Sequence, residues 1–343
     1  MRLVQFIHTN GARAVGTPID NGNALRLLHN TPSVYALAQH ADQSKTPLVD
    51  VARARLSHET TDYTAVIADQ RLLPPLDHPD PAHMILSGTG LNHTGSALAR
   101  NAMHAQTEPT APTAGAGQKS DSLIMFEWGL QGGKPATGHI GHQPEWFYKG
   151  DGRWVVPPEQ PLTMPQFSLD GGEEAELTGL YIVGQRGNVL RVGFCLGNEF
   201  SDHVTERQNY LYLAHSKLRV CSFGPEVLVA DSPATALPAD VRGVVRIVRS
   251  GTTVWQDTFA TGEANMTNSI ANMEHHHFKY TAFQSPGDVH VHFFGASALS
   301  VAAGVKTQAG DVFEIESPIF GKPLRNTLAV AADENRLVEV QAL

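Results

Sequence analysis

The sequence predicts an α+β protein built from a small N-terminal α/β domain, residues 1–78, and a larger strand-rich domain, residues 79–343. Three observations carry this reading. Residues 72–81 place Pro74, Pro75, Pro79 and Pro81 within eight positions, which favours an extended connector and sets a domain boundary. Upstream, a strand-like opening at 3–7 precedes a helical pattern at 23–41, where Ala24, Leu27, Leu28, Val34, Leu37 and Ala38 are apolar and Pro32 marks a break. Downstream, short β-branched and aromatic runs alternate with turn residues.

The elements of the larger part follow in order. Met84-Ile85-Leu86 is an apolar strand that runs into the glycine-rich turn 87–93, with a helix expected over 96–105. Residues 108–122 are poor in large apolar side chains and rich in Pro, Gly, Ala and Thr, as in a mobile insertion or lid. Pro144-Glu145-Trp146-Phe147-Tyr148-Lys149 sets an acid and a lysine around three aromatics; as a plain edge strand it would bury the rings and leave Glu145 and Lys149 in water. Strands are expected over 218–229 and 241–255, the latter broken at Ser250-Gly251-Thr252, and a helical pattern over 265–280. His275-His276-His277 lies in that pattern; adjacent helical residues diverge, so the tract is expected to be a solvated helix end, not a shared ligand set. His290 and His292 share one strand face and are expected to be structural, and Pro286-Gly287-Asp288 and Ala309-Gly310-Asp311 are turns that open strands.

The most informative stretch is 171–217. The runs 180–183 and 190–196 flank the turn residues Gly184-Gln185-Arg186-Gly187-Asn188, so they read as a β-hairpin. With the turn centred near Arg186 and Gly187, residue i faces residue 373 minus i, and Glu199 falls opposite Glu174. Glu174 and Glu176 project from one strand face with α-carbons about 6.8 Å apart. An isolated E-x-E is ordinarily a solvated acidic face, but the register adds Glu199 to the pair. Three carboxylates converging on a half-buried patch repel one another unless a cation compensates, and all-oxygen ligands suit Mg²⁺, Mn²⁺ or Ca²⁺ over zinc. A slip of the strands or a bulge at Gly179 would undo this geometry. Glu145 is a candidate fourth acid, its pKa lifted by the neighbouring carboxylates into the range useful for moving protons.

Composition limits the partners. The net charge is −9 with no basic run, which argues against nucleic acid. Cys195 and Cys221 form no disulfide or metal-type pattern and fit a reducing cytoplasm. Residues 1–10 lack signal-peptide character and no run approaches the roughly 18 apolar residues that span a bilayer, so no membrane association is expected. No G-x-S-x-G, P-loop or dinucleotide fingerprint occurs.

Taken in chain order, these motifs resemble the fumarylacetoacetate hydrolase superfamily over about residues 72–326. LLPPLDHP with SGTGLNH looks like the entry to that family's catalytic domain, PEWFYKG like its P-x-x-F-x-K segment and EAEL like its metal-binding E-x-E. GNEFSDH is similar to its N-D-x-S motif, with Glu199 in place of the usual aspartate; PGDVHVHFFGAS and AGDVFEIES resemble its two PGD segments. The resemblance implies a mixed β-sandwich roll for the catalytic domain and Mg²⁺ or Mn²⁺ on Glu174, Glu176 and Glu199. It also implies an active-site lysine at Lys217, substrate contacts from Glu206, with Ser297 and Lys149 at the pocket edge, and a homodimer or larger assembly. The histidine that hydrolases and decarboxylases of the superfamily carry after G-L-N is Ser96 here, and the family's S-A-R-D and G-T-P segments are altered to Ser201-Asp202-His203-Val204 and Gly295-Ala296-Ser297. Those departures, with NEFSDH and PEWFYK, look like the sugar-acid branch. They imply a Mg²⁺-dependent dehydratase of a 2-keto-3-deoxy pentonate, with Glu145 and Lys217 catalytic; hydrolysis or decarboxylation of a short 2-oxo or 2,4-dioxo acid through the same enolate is the alternative.

Overall fold

A computed structural model describes residues 1–93, 120–230, 238–332 and 337–343. Ser96, the helix expected over 96–105 and most of the 108–122 insertion lie outside the described residues. Its last three residues belong to ordered structure: Ser120 Oγ caps the helix Asp121–Gly132 by accepting from Leu123 N at 3.3 Å, and Ser122 is buried.

Sixteen strands in two sheets make up the described β structure: β1 Arg2–Ile7, β2 Arg13–Ile19, β3 Ala24–Leu28, β4 Leu56–Asp62, β5 Met84–Gly88, β6 Phe147–Asp151, β7 Leu162–Met164, β8 Ala175–Val183, β9 Val189–Asn198, β10 Ser222–Phe223, β11 Glu226–Leu228, β12 Val241–Arg249, β13 Thr252–Thr261, β14 Val289–Phe293, β15 Val312–Glu316 and β16 Leu324–Val330. The larger sheet runs β4-β3-β2-β1-β11-β9-β8-β14-β5-β6, with β10 also on β9; the smaller runs β13-β12-β15-β16-β7. Both are mixed: β14–β5 and β16–β7 are parallel pairs within otherwise antiparallel ladders. With few helices, the chain is α+β, as its sequence predicts.

One expectation for the first 78 residues is corrected. The helical pattern at 23–41 begins as a strand: Ala24–Leu28 pairs with β2 and β4, and the helix starts only at Val34, where Ser33 Oγ accepts from Ala36 N at 3.0 Å. Sheet pairing on both sides of β3 outweighs the helix preference of Ala and Leu, which tertiary context readily overrides. β1 pairs with β11 and so carries β2 to β4 into the larger sheet. Leu3, Val15 and Leu28 share one apolar cluster with Leu86, Leu180 and Val291, while Val4, Phe6, Leu25 and Tyr63 form a smaller one on the opposite side.

Every residue of β8 is buried because both faces of its sheet are covered. Leu180 and Ile182 face the first cluster. Ala175 and Leu177, with Phe194 and Leu196 of β9, face the smaller sheet through Val245, Phe259, Ile315 and Leu324. By the alternation of a strand, Glu174 and Glu176 share the side of Leu180 and Ile182. Gly187 closes the hairpin with φ +76°, a left-handed conformation that glycine adopts without penalty. Asp42 on the helix Val34–Ser44 fixes that turn by accepting from Gln185 N. Among the described residues no helix is long and apolar enough to cross a membrane.

Candidate metal centre

The hairpin register is 373 minus i from Ala175↔Asn198 to Leu180↔Gly193, and Glu199 N donates to Glu174 O at 3.1 Å to extend it. The irregularity between Leu180 and Tyr181 lies on the turn side, away from the acids. Asn198 Oδ1 accepts from Glu174 N at 3.2 Å and Phe200 N at 3.1 Å, which fixes the backbone as both strands leave the sheet. Glu174, Glu176 and Glu199 are all buried, and each offers a carboxylate oxygen within 4.8 Å of the other two.

Three cations surround this trio. Lys217 Nζ donates to Glu174 Oε1 at 2.5 Å, Glu199 Oε2 at 3.0 Å and Ser201 Oγ at 3.1 Å, and lies 5.0 Å from the Phe147 ring centroid. Lys149 Nζ is 3.0 Å from Glu199 Oε1 and donates to the carbonyls of Phe200 and Lys217. His203 places Nε2 3.0 Å from Glu174 Oε1 and Nδ1 3.3 Å from Asp170 Oδ2. Burial disfavours the charged imidazole, but Asp170 and Glu174 outweigh it and raise His203 to about 10, so the ring is a cation whose Nε2 donates to Glu174. Burial also opposes charge on Glu174, yet Lys217 and His203 hold its carboxyl well below the usual range.

Glu176 is different. Gly295 N donates to Oε2 at 2.7 Å, while Oε1 is buried with no hydrogen-bond partner among the described residues. Burial and the charges of Glu199 and Glu174 raise Glu176 well above the usual carboxylate range. Burial and Glu174 likewise raise Glu199, against the pull of Lys217 and Lys149. An orphaned carboxylate oxygen beside two further carboxylates, without sulfur or imidazole in the set, fits a hard divalent cation.

The other residues predicted for the site are distributed around this group. β6 buries Phe147 and Lys149 together with the preceding Glu145 and turns Trp146 and Tyr148 outward, the reverse of the edge-strand reading. Alternation allows either face, and the buried carboxylate partner of Lys149 selects this one. Glu145 does not belong to the trio. It accepts from Leu91 N at 3.0 Å and Ser122 Oγ at 3.3 Å, and packs against Gly90. Gly90, Leu91 and Ser122 line a cavity shared with Glu174, Glu206 and Lys217, so Glu145 stands behind one wall of it. Glu206 Oε2 is 3.9 Å from Lys217 Nζ.

Two pocket-edge expectations are corrected. Lys149 is fully buried beneath the carboxylates, and Ser297 Oγ accepts from Ala260 N of β13 at 3.1 Å while its neighbours Ala296 and Leu299 line the cavity. The histidine tract also divides. His275 is exposed, but His277 is buried, accepts from Trp146 Nε1 at Nδ1 (3.1 Å) and therefore donates through Nε2 to His290 Nδ1 at 2.9 Å. His292 lies between Ser87 Oγ and Thr89 Oγ1. Sequence reasoning missed His203, whose one signal was its place four residues after Glu199 at the start of the helix His203–Gln208.

Comparison with known proteins bears on the fold. No family model matches the chain. A probable 2-keto-3-deoxyxylonate dehydratase of Haloferax volcanii is 31% identical over 123 residues, 35% of this chain and 40% of the relative; the match therefore spans less than half of either protein. A solved 2-keto-3-deoxyarabinonate dehydratase superposes with TM-score 0.69 at 18% identity, over 97% of this chain and 100% of that one. The chain therefore shares its fold with the 2-keto-3-deoxyarabinonate dehydratases. A 2-keto-3-deoxy-D-arabinonate dehydratase structure complexed with magnesium and 2,5-dioxopentanoate gives TM-score 0.67 at 17% identity, with 97% and 100% coverage. A 2-hydroxyhepta-2,4-diene-1,7-dioate isomerase from Mycobacterium marinum gives 0.56 at 15% identity, again with 97% and 100% coverage. The shared fold thus accommodates both a dehydratase and an isomerase among these neighbours.

Proposed function

We propose that this chain is a Mg²⁺- or Mn²⁺-dependent dehydratase that converts a 2-keto-3-deoxy pentonate, such as 2-keto-3-deoxyarabinonate, to 2-oxoglutarate semialdehyde. The observation that carries the reading is the buried group Glu174, Glu176 and Glu199, with an unpartnered Glu176 oxygen, beside a cavity that Glu174 and Lys217 line. The relative complexed with magnesium and 2,5-dioxopentanoate supports it. Bound by the three carboxylates, the cation would polarise a 2-oxo acid and acidify its C3 protons.

The remaining work falls to the side chains. Glu145, held by Leu91 N and Ser122 Oγ, takes a C3 proton directly or through water and returns it to the departing C4 hydroxyl, which leaves as water; a proton then moves from C5 of the resulting 3,4-unsaturated acid back to C3, and the C4–C5 enol left behind tautomerises to the semialdehyde. The Lys217 ammonium faces the charge that develops on the 2-oxo acid, and Lys149 and His203 keep Glu199 and Glu174 in place beneath it. Glu206, on the same cavity, holds sugar hydroxyls.

The test is Glu145→Gln with the D- and L-2-keto-3-deoxypentonates, separating semialdehyde from pyruvate and unchanged acid. The variant should bind Mg²⁺ and keto acid normally and lose on the order of 10²- to 10⁴-fold in turnover. Undiminished turnover would make Glu145 a bystander, and pyruvate as the product would indicate carbon–carbon cleavage.

A further inference from the structure

Arg207 is a cation for which the proposed chemistry has no use. It lies on the helix His203–Gln208 and lines the cavity that Glu174, Glu206 and Lys217 also line. Lys149, Lys217 and His203 each face a carboxylate. The Nε and Nη2 atoms of Arg207, in contrast, are buried and have no hydrogen-bond partner among the described residues. Leaving two guanidinium donors dry and unpaired is costly, so such groups in a cavity wall take their partners from the water or the ligand that the cavity holds. Nε–H and Nη2–H project from one edge of a planar group as a fork spaced for two oxygens, a geometry that lysine lacks.

With the carboxylate trio and Lys217 committed to the 2-oxo acid, the fork is left for the far end of the substrate. We propose that Arg207 is a specificity-determining residue that recognises oxygen at C5, the position remote from the 2-oxo acid, and that the enzyme selects 2-oxo acids carrying an oxygen-bearing C5. The acceptor can be a hydroxymethyl or a carboxylate oxygen; a terminal methyl leaves the fork unpaired. This rests on the proposed binding of a 2-oxo acid at the carboxylate trio, but not on dehydration.

The test is therefore equilibrium binding of three unreactive five-carbon acids that lack the C4 hydroxyl. 2-Oxopentanoate, 5-hydroxy-2-oxopentanoate and 2-oxoglutarate are titrated calorimetrically into the Mg²⁺-loaded protein and into Arg207→Gln and Arg207→Lys. The unmodified protein should bind both oxygenated acids on the order of 10- to 100-fold more tightly than 2-oxopentanoate. Arg207→Gln should lose most of that preference without weakening 2-oxopentanoate itself, and Arg207→Lys should retain part of it for 2-oxoglutarate alone. The ratio of the two oxygenated acids identifies which terminus the fork is built for. Equal affinity for all three acids, or an equal loss for all three in Arg207→Gln, overturns the role of Arg207 and leaves the dehydratase reading standing. Selective binding without turnover of any 2-keto-3-deoxypentonate overturns dehydration and leaves Arg207 standing. Failure to bind any of the three overturns both.

Discussion

Lys217→Met isolates the electrostatics of the site. Lys217 is 2% exposed and its ammonium is shared by Glu174 Oε1, Glu199 Oε2 and Ser201 Oγ. Methionine keeps the stem and deletes the charge, so the trio is left with Lys149 on Glu199 and His203 on Glu174. Removing one partner of a buried ion pair typically costs about 3–5 kcal/mol, because the carboxylates left behind are dry and uncompensated. A divalent cation supplies the missing charge and no longer competes with the ammonium for Glu174 Oε1. The variant should therefore be about 3–5 kcal/mol less stable in a chelator and should bind Mg²⁺ more tightly than the unmodified protein. A cation at about 100 times its dissociation constant adds about 2.7 kcal/mol, so saturating Mg²⁺ should recover much of the loss while turnover stays low. Denaturant unfolding in chelator and across a Mg²⁺ titration measures both effects. Unchanged stability in chelator, or the same Mg²⁺ increment in both proteins, would refute the reasoning.

Glu176→Gln should behave oppositely: it removes a buried carboxyl whose charge is disfavoured by burial, Glu199 and Glu174 more than Lys217 favours it, so stability in chelator should hold or rise while stabilisation by Mg²⁺ is lost, as the same titration would reveal. Gly90→Ala should impair turnover more than folding, because a β-carbon there would lie 2.3 Å from the Glu145 carboxyl carbon; the ratio of kcat to melting-temperature change checks this. Acid should destabilise the fold through buried neutral histidines. Burial lowers His93 and His290 to about 3 and His277 to about 4, so their contribution is complete above the unfolded value of 6.5 and is lost as pH falls from there toward 3–4. The loss is about 1.4 kcal/mol per group for each pH unit of that window, measurable by urea unfolding at pH 7 and 5. His203 has the opposite sign: raised by its carboxylates, its contribution is full below 6.5 and fades as pH rises toward about 10, and His203→Gln should flatten the alkaline limb of the stability profile.

The acidic trio was legible because the information is local. A five-residue turn fixes the register of β8 on β9, and a period of two then assigns Glu174, Glu176 and Glu199 to one patch without reference to the rest of the chain. Orientation of β6 was not legible, since Glu145-Trp146-Phe147-Tyr148-Lys149 alternates equally well with either set of residues inward. The Ala24–Leu28 strand was hidden for a related reason: Ala-Leu-Arg-Leu-Leu satisfies a helical period as readily as a strand, and partners on both sides decide between them.

By itself the sequence determined the α+β class, the hairpin and three of the site's carboxylates. Tertiary structure decided how those carboxylates can exist together. Lys149 comes from 50 residues before Glu199, Lys217 from 43 residues after Glu174, and the Gly295 amide from 119 residues beyond Glu176. It also joined the first four strands to the larger sheet through β1 and β11, and drew His277 out of the solvent against His290. Periodicity records which residues share a face. The sign and distance of the charges that meet that face depend on chain returning from elsewhere, and those set which carboxylate is paired and which is left for a cation.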